Sequence, residues 1–125
     1  MKQVETPNAP PAIGPYSQAV IFGNTVYASA QLPMDPKDPD SGLIAGGAAK
    51  QAEKVIENLK AVLEAAGSGL DQVVKTTCFL ASMADFAAFN SIYIKYFPQK
   101  PARSCIAAKQ LPRDALVMME ATAEL

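Results

Sequence analysis

The pattern of apolar and polar positions divides the chain into eight elements. Val4 opens a short strand, and Pro7, Pro10, Pro11 and Pro15 follow as an extended connector with preset φ angles. Ser17 to Phe22 and Thr25 to Gln31 read as two strands joined by the Gly23-Asn24 turn. Pro33, Pro36, Pro39, Asp40 and Gly42 break the second strand into a loop. From Ala48 to Ala66, residues Ala52, Val55, Ile56, Leu59, Val62 and Leu63 recur at helical spacing, with Lys and Glu on the other side. Gly67 is placed to end this helix in a left-handed conformation. Val73 to Leu80 reads as a strand. Ser82 and Asp85 suggest a capping box for a helix carrying Phe86, Phe89, Tyr93 and Tyr96 or Phe97 on one stripe, limited by Pro98. Ala102 to Ala108 and Ala115 to Glu124 complete the order β-β-β-α-β-α-β-β.

Two helices cover one face of such a sheet. On the last strand, Leu116 and Met118 alternate with Val117, Met119 and Ala121; on the earlier one, Val74, Cys78 and Leu80 oppose Val73 and Phe79. Both faces read as apolar, so the second face is expected to be covered by another copy of the chain.

Composition narrows the chemistry. At 125 residues the chain is expected to be one domain, 1–125, and its 50% apolar and 18% charged residues are those of a globular protein. Eleven basic and twelve acidic residues leave a net charge of −1, which argues against nucleic acid as the main partner. No histidine is present, which removes Ser-His-Asp and Cys-His catalysis and the commonest zinc sites. No nucleotide-binding or metal motif occurs, so no cofactor is expected. Cys78 and Cys105 form no ligand-like cluster. With no apolar leader at the N-terminus and no segment able to span a bilayer, a cytoplasmic location is expected, with no membrane partner.

A few residues carry candidate chemistry. Arg103, one of two arginines, lies inside a predicted strand and reads as a clamp for a substrate carboxylate, as half of an internal ion pair or as a solvated strand edge. Cys105, two residues on, shares its face and is either a thiol tuned by the guanidinium or a small buried hydrophobe. Glu120 interrupts the apolar run VMMEATA and either handles protons or forms a structural salt bridge, with Arg103 as a candidate partner. Tyr16, Ser17 and Ser29 offer hydroxyls able to orient a ligand, and Gly46-Gly47 offers a weak anion-binding signal.

These residues sit in recognisable runs. AIGPYSQAV (12–20), YASAQLPMDP (27–36), ENLKAVLEAAG (57–67), VVKTTCFLASMADFAAFN (73–90), PARSC (101–105) and VMMEATA (117–123) together resemble the Rid/YjgF family of reactive intermediate deaminases. The resemblance implies an α+β, chorismate-mutase-like fold: a six-stranded mixed sheet with two helices on one face. It further implies a homotrimer with sites between subunits, and cofactor-free hydrolysis of 2-imino acids to 2-oxo acids and ammonia. The imines arise from enamines released by dehydratases that use pyridoxal phosphate. On that reading Arg103 grips the substrate carboxylate, and Cys105 contributes mainly through its backbone. Glu120 holds or protonates through a water, while Tyr16, Ser29 and Ala30 shape the pocket. The chain departs from the family pattern at Ala30, where glycine is usual, and at Ala107, where an acid is frequent. The methyl group of Ala30 bears on substrate size. Two other classes remain open: a non-catalytic trimer that binds small oxo acids or amino acids, and an interaction protein of the translation-inhibitor or ribonuclease type.

Overall fold

The computed structural model describes residues 1–125. Six strands form one mixed sheet: β1 (Lys2–Val4), β2 (Ala19–Phe22), β3 (Thr25–Gln31), β4 (Val73–Leu80), β5 (Ala102–Ala107) and β6 (Val117–Glu124). The helices are α1 (Gly47–Ala65) and α2 (Phe86–Tyr96). The order across the sheet is β1-β2-β3-β6-β4-β5, with β4 and β5 parallel and every other pair antiparallel. β3 and β4 both run against β6, so they are parallel to one another. Each parallel step needs a crossover, and α1 and α2 supply them.

The core lies between the helices and one sheet face. Val55, Ile56, Leu59, Val62 and Leu63 of α1 meet Val26, Val117, Met119 and Ala123 of the sheet. α1 closes as the sequence predicts. Gly67, at φ 89°, lets its own N–H reach the Glu64 carbonyl and the Ser68 N–H reach that of Leu63.

The other face differs from its expectation. On β6 the side chains of Met118, Glu120, Thr122 and Glu124 point away from the helices; on β4 those of Lys75, Thr77 and Phe79 do. This face is apolar at one end and polar in the middle. A register shift between Val73 and Lys75 also reverses the expected phase. Val73, rather than Val74, joins Cys78 and Leu80 in the core, and Val74 is 47% exposed.

Three buried amides pin the loops that the pattern left structureless. Gln18 accepts from the Thr6 N–H at 2.7 Å and donates to the Pro10 carbonyl at 2.8 Å, holding the proline-rich connector against β2. Asn58 donates to the carbonyls of Leu32 and Met34, and Gln51 accepts from the Leu116 N–H. The capping box is half formed. Ser82 accepts from the Ala84 N–H, but it caps a single 3-10 turn, Met83–Asp85, that leads into α2.

Candidate functional site

Strand register decides where each candidate side chain points. β5 is an edge strand, and its Arg103 and Cys105 pair with Thr76 and Cys78 of β4. Register partners project to the same side of a sheet. Thr76 and Cys78 are fully buried under the helices, so Arg103 and Cys105 face α2.

α2 is arranged to receive the arginine. Phe86, Asn90 and Tyr93 fall at i, i+4 and i+7, one stripe of the helix. Arg103 Nη1 donates to Asn90 Oδ1 at 2.7 Å. The guanidinium carbon lies 4.8 Å from the Tyr93 ring centroid and 5.6 Å from that of Phe86, both within cation–π range. No carboxylate reaches it: the only ion pairs join lysines and glutamates of α1. An internal ion pair for Arg103 is therefore absent. A half-buried cation is held entirely by neutral groups, with most of its five N–H donors still free. Such a group retains its capacity for a bidentate bond to a carboxylate.

The thiol beside it is not a thiolate. Burial pushes Cys105 above the usual thiol range, and the nearby guanidinium opposes this only in part. Cys78 is pushed up to about 12, chiefly by burial. The Tyr93 phenol is also raised by burial, and its hydroxyl shares a 2.8 Å hydrogen bond with Thr76 Oγ1.

Glu120 lies elsewhere. It pairs in register with Thr77, on the face away from the helices, and is exposed. With Tyr27, Lys75, Thr77 and Thr122 it lines a shallow cavity of about 170 Å³. A whole sheet separates its carboxylate from Arg103, which excludes a salt bridge between them within one chain.

Tyr16, Ser29 and Ala30 form a third group. β3 bulges between Ala28 and Gln31. The Ser29 N–H donates to the Gln18 carbonyl, and its hydroxyl to that of Ser17 at 2.7 Å. β2 itself begins at Ala19 rather than Ser17. Tyr16 is 46% exposed, and its hydroxyl accepts from the Ile13 N–H. Tyr16 and Ala30 line one notch of about 20 Å³. A wider concavity, about 1090 Å³, is an open groove along the N-terminal segment that includes Tyr16 and Ser17 but neither Arg103 nor Glu120. β3 and β5 are three strand spacings apart, about 14 Å. Within one chain, Tyr16, Ser29 and Ala30 therefore do not meet Arg103.

Gly46-Gly47 forms the entry to α1. Both residues have positive φ, and a Cβ at Gly46 would lie 2.7 Å from Lys50 Cγ, so the glycine gives clearance to that side chain. No group of three or more His, Cys, Asp or Glu side chains is arranged to hold a metal ion. The sequence pattern alone does not single out Asn90. Its signal is its place on the Phe86–Tyr93 stripe, a polar residue where an apolar one is expected.

Comparison with known proteins agrees with this geometry. The family model described as Endoribonuclease L-PSP matches residues 6–125. The RutC family protein PH0854 of Pyrococcus horikoshii is 46% identical over 125 residues, with 98% of each chain covered. The 2-iminobutanoate/2-iminopropanoate deaminase of Salmonella typhimurium is 43% identical, covering 98% of this chain and 96% of the relative. The crystal structure of Escherichia coli TdcF with bound serine superimposes with a TM-score of 0.93 at 36% identity, covering 100% of this chain and 99% of that one. The six-stranded mixed sheet, the two helices and the matched motifs together show that the chain belongs to the Rid/YjgF (Endoribonuclease L-PSP) family.

Proposed function

We propose that the protein is a cofactor-independent deaminase. It hydrolyses small 2-imino acids, formed from dehydratase-derived enamines, to 2-oxo acids and ammonia. The observation that carries the reading is the charge state of the Arg103 site: a half-buried guanidinium held by Asn90, Tyr93 and Phe86 with no acidic partner. The imine carbon is already electrophilic. A water adds to C2, giving a carbinolamine; a proton passes to nitrogen, and the C–N bond breaks to leave the oxo group and ammonia. Arg103 holds the carboxylate and so orients C2 toward the water. Cys105, kept as a thiol, borders the cleft and contributes through its backbone. The names of relatives such as the Salmonella deaminase support this chemistry.

The complete site is shared between copies of the chain, as in a homotrimer. Support comes from the distance between the β3 group and the β5 edge: Tyr16, Ser29 and Ala30 join Arg103 only across an interface. Glu120 takes part in proton handling only if another copy delivers it to the Arg103 edge. An operating site in the cytoplasm, beside the enzymes that release enamines, fits the chemistry.

A second reading is a binding module for small oxo acids or amino acids. It is favoured by the lack of an ionised acid or base beside Arg103 within one chain, and by the serine held by the TdcF relative. Two measurements separate the readings. A threonine or serine dehydratase is run with and without the protein, following oxo acid release, and 2-oxobutanoate is titrated in a calorimeter. Binding with acceleration supports the deaminase. Binding without acceleration selects the module, and the absence of both binding and acceleration overturns a ligand site at Arg103.

A further inference from the structure

The site holds a polar feature that the chemistry above does not use. Thr76 is fully buried, and Tyr93 is 8% exposed. Their hydroxyls bond each other at 2.8 Å, and Cys78 Sγ lies 3.8 Å from the Thr76 oxygen. A valine fills the volume of Thr76 without a hydroxyl to satisfy, so burying this pair needs a reason. Three contacts close a ring around it. Thr76 is the register partner of Arg103 on the neighbouring strand. The Thr76 hydroxyl holds Tyr93 of α2. The face of the Tyr93 ring lies 4.8 Å from the guanidinium. The strand pair that carries the arginine thus also anchors the ring against which it rests.

We propose that the Thr76–Tyr93 hydroxyl pair is a positioning device for Arg103, fixing the aromatic surface that orients the guanidinium toward a carboxylate. The inference rests on reading Arg103 as the carboxylate clamp. The physical argument concerns direction. Phe89 and Phe97 pack beside Tyr93 with ring centroids 5.7 and 4.6 Å away. Dispersion contacts of that kind hold a ring in a cavity but let it slide in its own plane. A hydrogen bond at the ring's far end fixes its position along that direction. Asn90, one turn earlier on α2, then meets Nη1 at a set height, so the helix and the ring act as one support.

The test uses Thr76→Val, Thr76→Ser, Tyr93→Phe and the double variant Thr76→Val/Tyr93→Phe in the intact protein. Each single loss is expected to raise KM for the imine, and Kd for 2-oxobutanoate, by about tenfold, the scale of a cation–π contact, with kcat changing far less. Thr76→Ser keeps the hydroxyl and restores both constants. The double variant leaves no orphaned hydroxyl, so its Tm recovers relative to the singles while its KM stays high. A KM that returns together with Tm, or a Thr76→Ser variant no better than Thr76→Val, overturns the proposal and makes the pair merely structural. A readout independent of turnover is the ¹⁵N NMR signal of Arg103 Nε–H. It is expected to be sharp and ring-current shifted in the parent and averaged in the double variant. A mobile Arg103 in the parent overturns the inference even if imines are hydrolysed. An ordered Arg103, averaged in the double variant of a protein that hydrolyses no imine, leaves the inference standing and removes the proposed function.

Discussion

The two faces of the sheet differ in what they hold and in what that placement costs. On β6, Val117, Met119, Ala121 and Ala123 point under the helices and all are buried, whereas Met118, Glu120, Thr122 and Glu124 point the other way and none is. The carboxylate of Glu120 stays in water, where a charge costs little. The guanidinium of Arg103 sits half-buried at the covered edge among Phe86, Asn90 and Tyr93. Desolvating a cation without an acidic partner is the more expensive arrangement, and it marks where an anion is expected to bind. The contrast separates two charges that a linear reading places in one site.

The largest expected effect is on folding. Leu59→Ala, under the covered face, is expected to cost about 2–5 kcal/mol in urea unfolding, as large-to-small core changes do. Tyr27→Ala, on the open face and 48% exposed, is expected to shift stability far less in the same experiment. Equal losses would erase the distinction between the faces. Next comes the divided site. Arg103→Ala and Ser29→Ala chains, each weak alone, are unfolded together, refolded and assayed. Sites built across copies regain activity in roughly a quarter of interfaces after equal mixing, and a site within one chain regains none. Repeating the mixture with Glu120→Gln asks whether the open-face carboxylate joins the same site.

A smaller effect concerns pH. Cys78 has an ordinary thiol value of 9.0 when unfolded and is raised to about 12 when folded. Above pH 9 the unfolded chain loses this proton while the folded chain keeps it, so stability falls as pH rises from 9 toward 12. Cys78→Ala is expected to flatten that decline in thermal melts; an unchanged slope would show that the buried thiol does not titrate with unfolding. The smallest effect is expected for Cys105→Ser. A group that stays protonated and acts through its backbone is dispensable as a nucleophile, so kcat in the coupled assay should barely move.

Much of the fold is legible in the sequence because it is local. The period of Ala52 to Leu63, the Gly23-Asn24 turn and Gly67 at the end of α1 each depend on neighbours a few residues away. Arg103 and Cys105 share a face by their spacing alone. What failed to show depends on distant partners. Alternation gives two faces for β6 but not which one meets the helices, so Glu120 could be placed beside Arg103 on paper. The β4 register shift moves Val73 into the core and Val74 out, and nothing in VVKTTCFL signals it. Asn90, Gln18 and Asn58 act on groups 8 to 26 residues away, beyond any local pattern.

The central claim is that Arg103 offers an uncompensated charge to a small carboxylate. It is tested by Arg103→Ala beside the parent protein in the dehydratase-coupled assay, with circular dichroism to show that both fold. The account predicts faster oxo acid release with the parent and none of that acceleration with the folded variant. A folded Arg103→Ala protein that accelerates release as well as the parent does would contradict it.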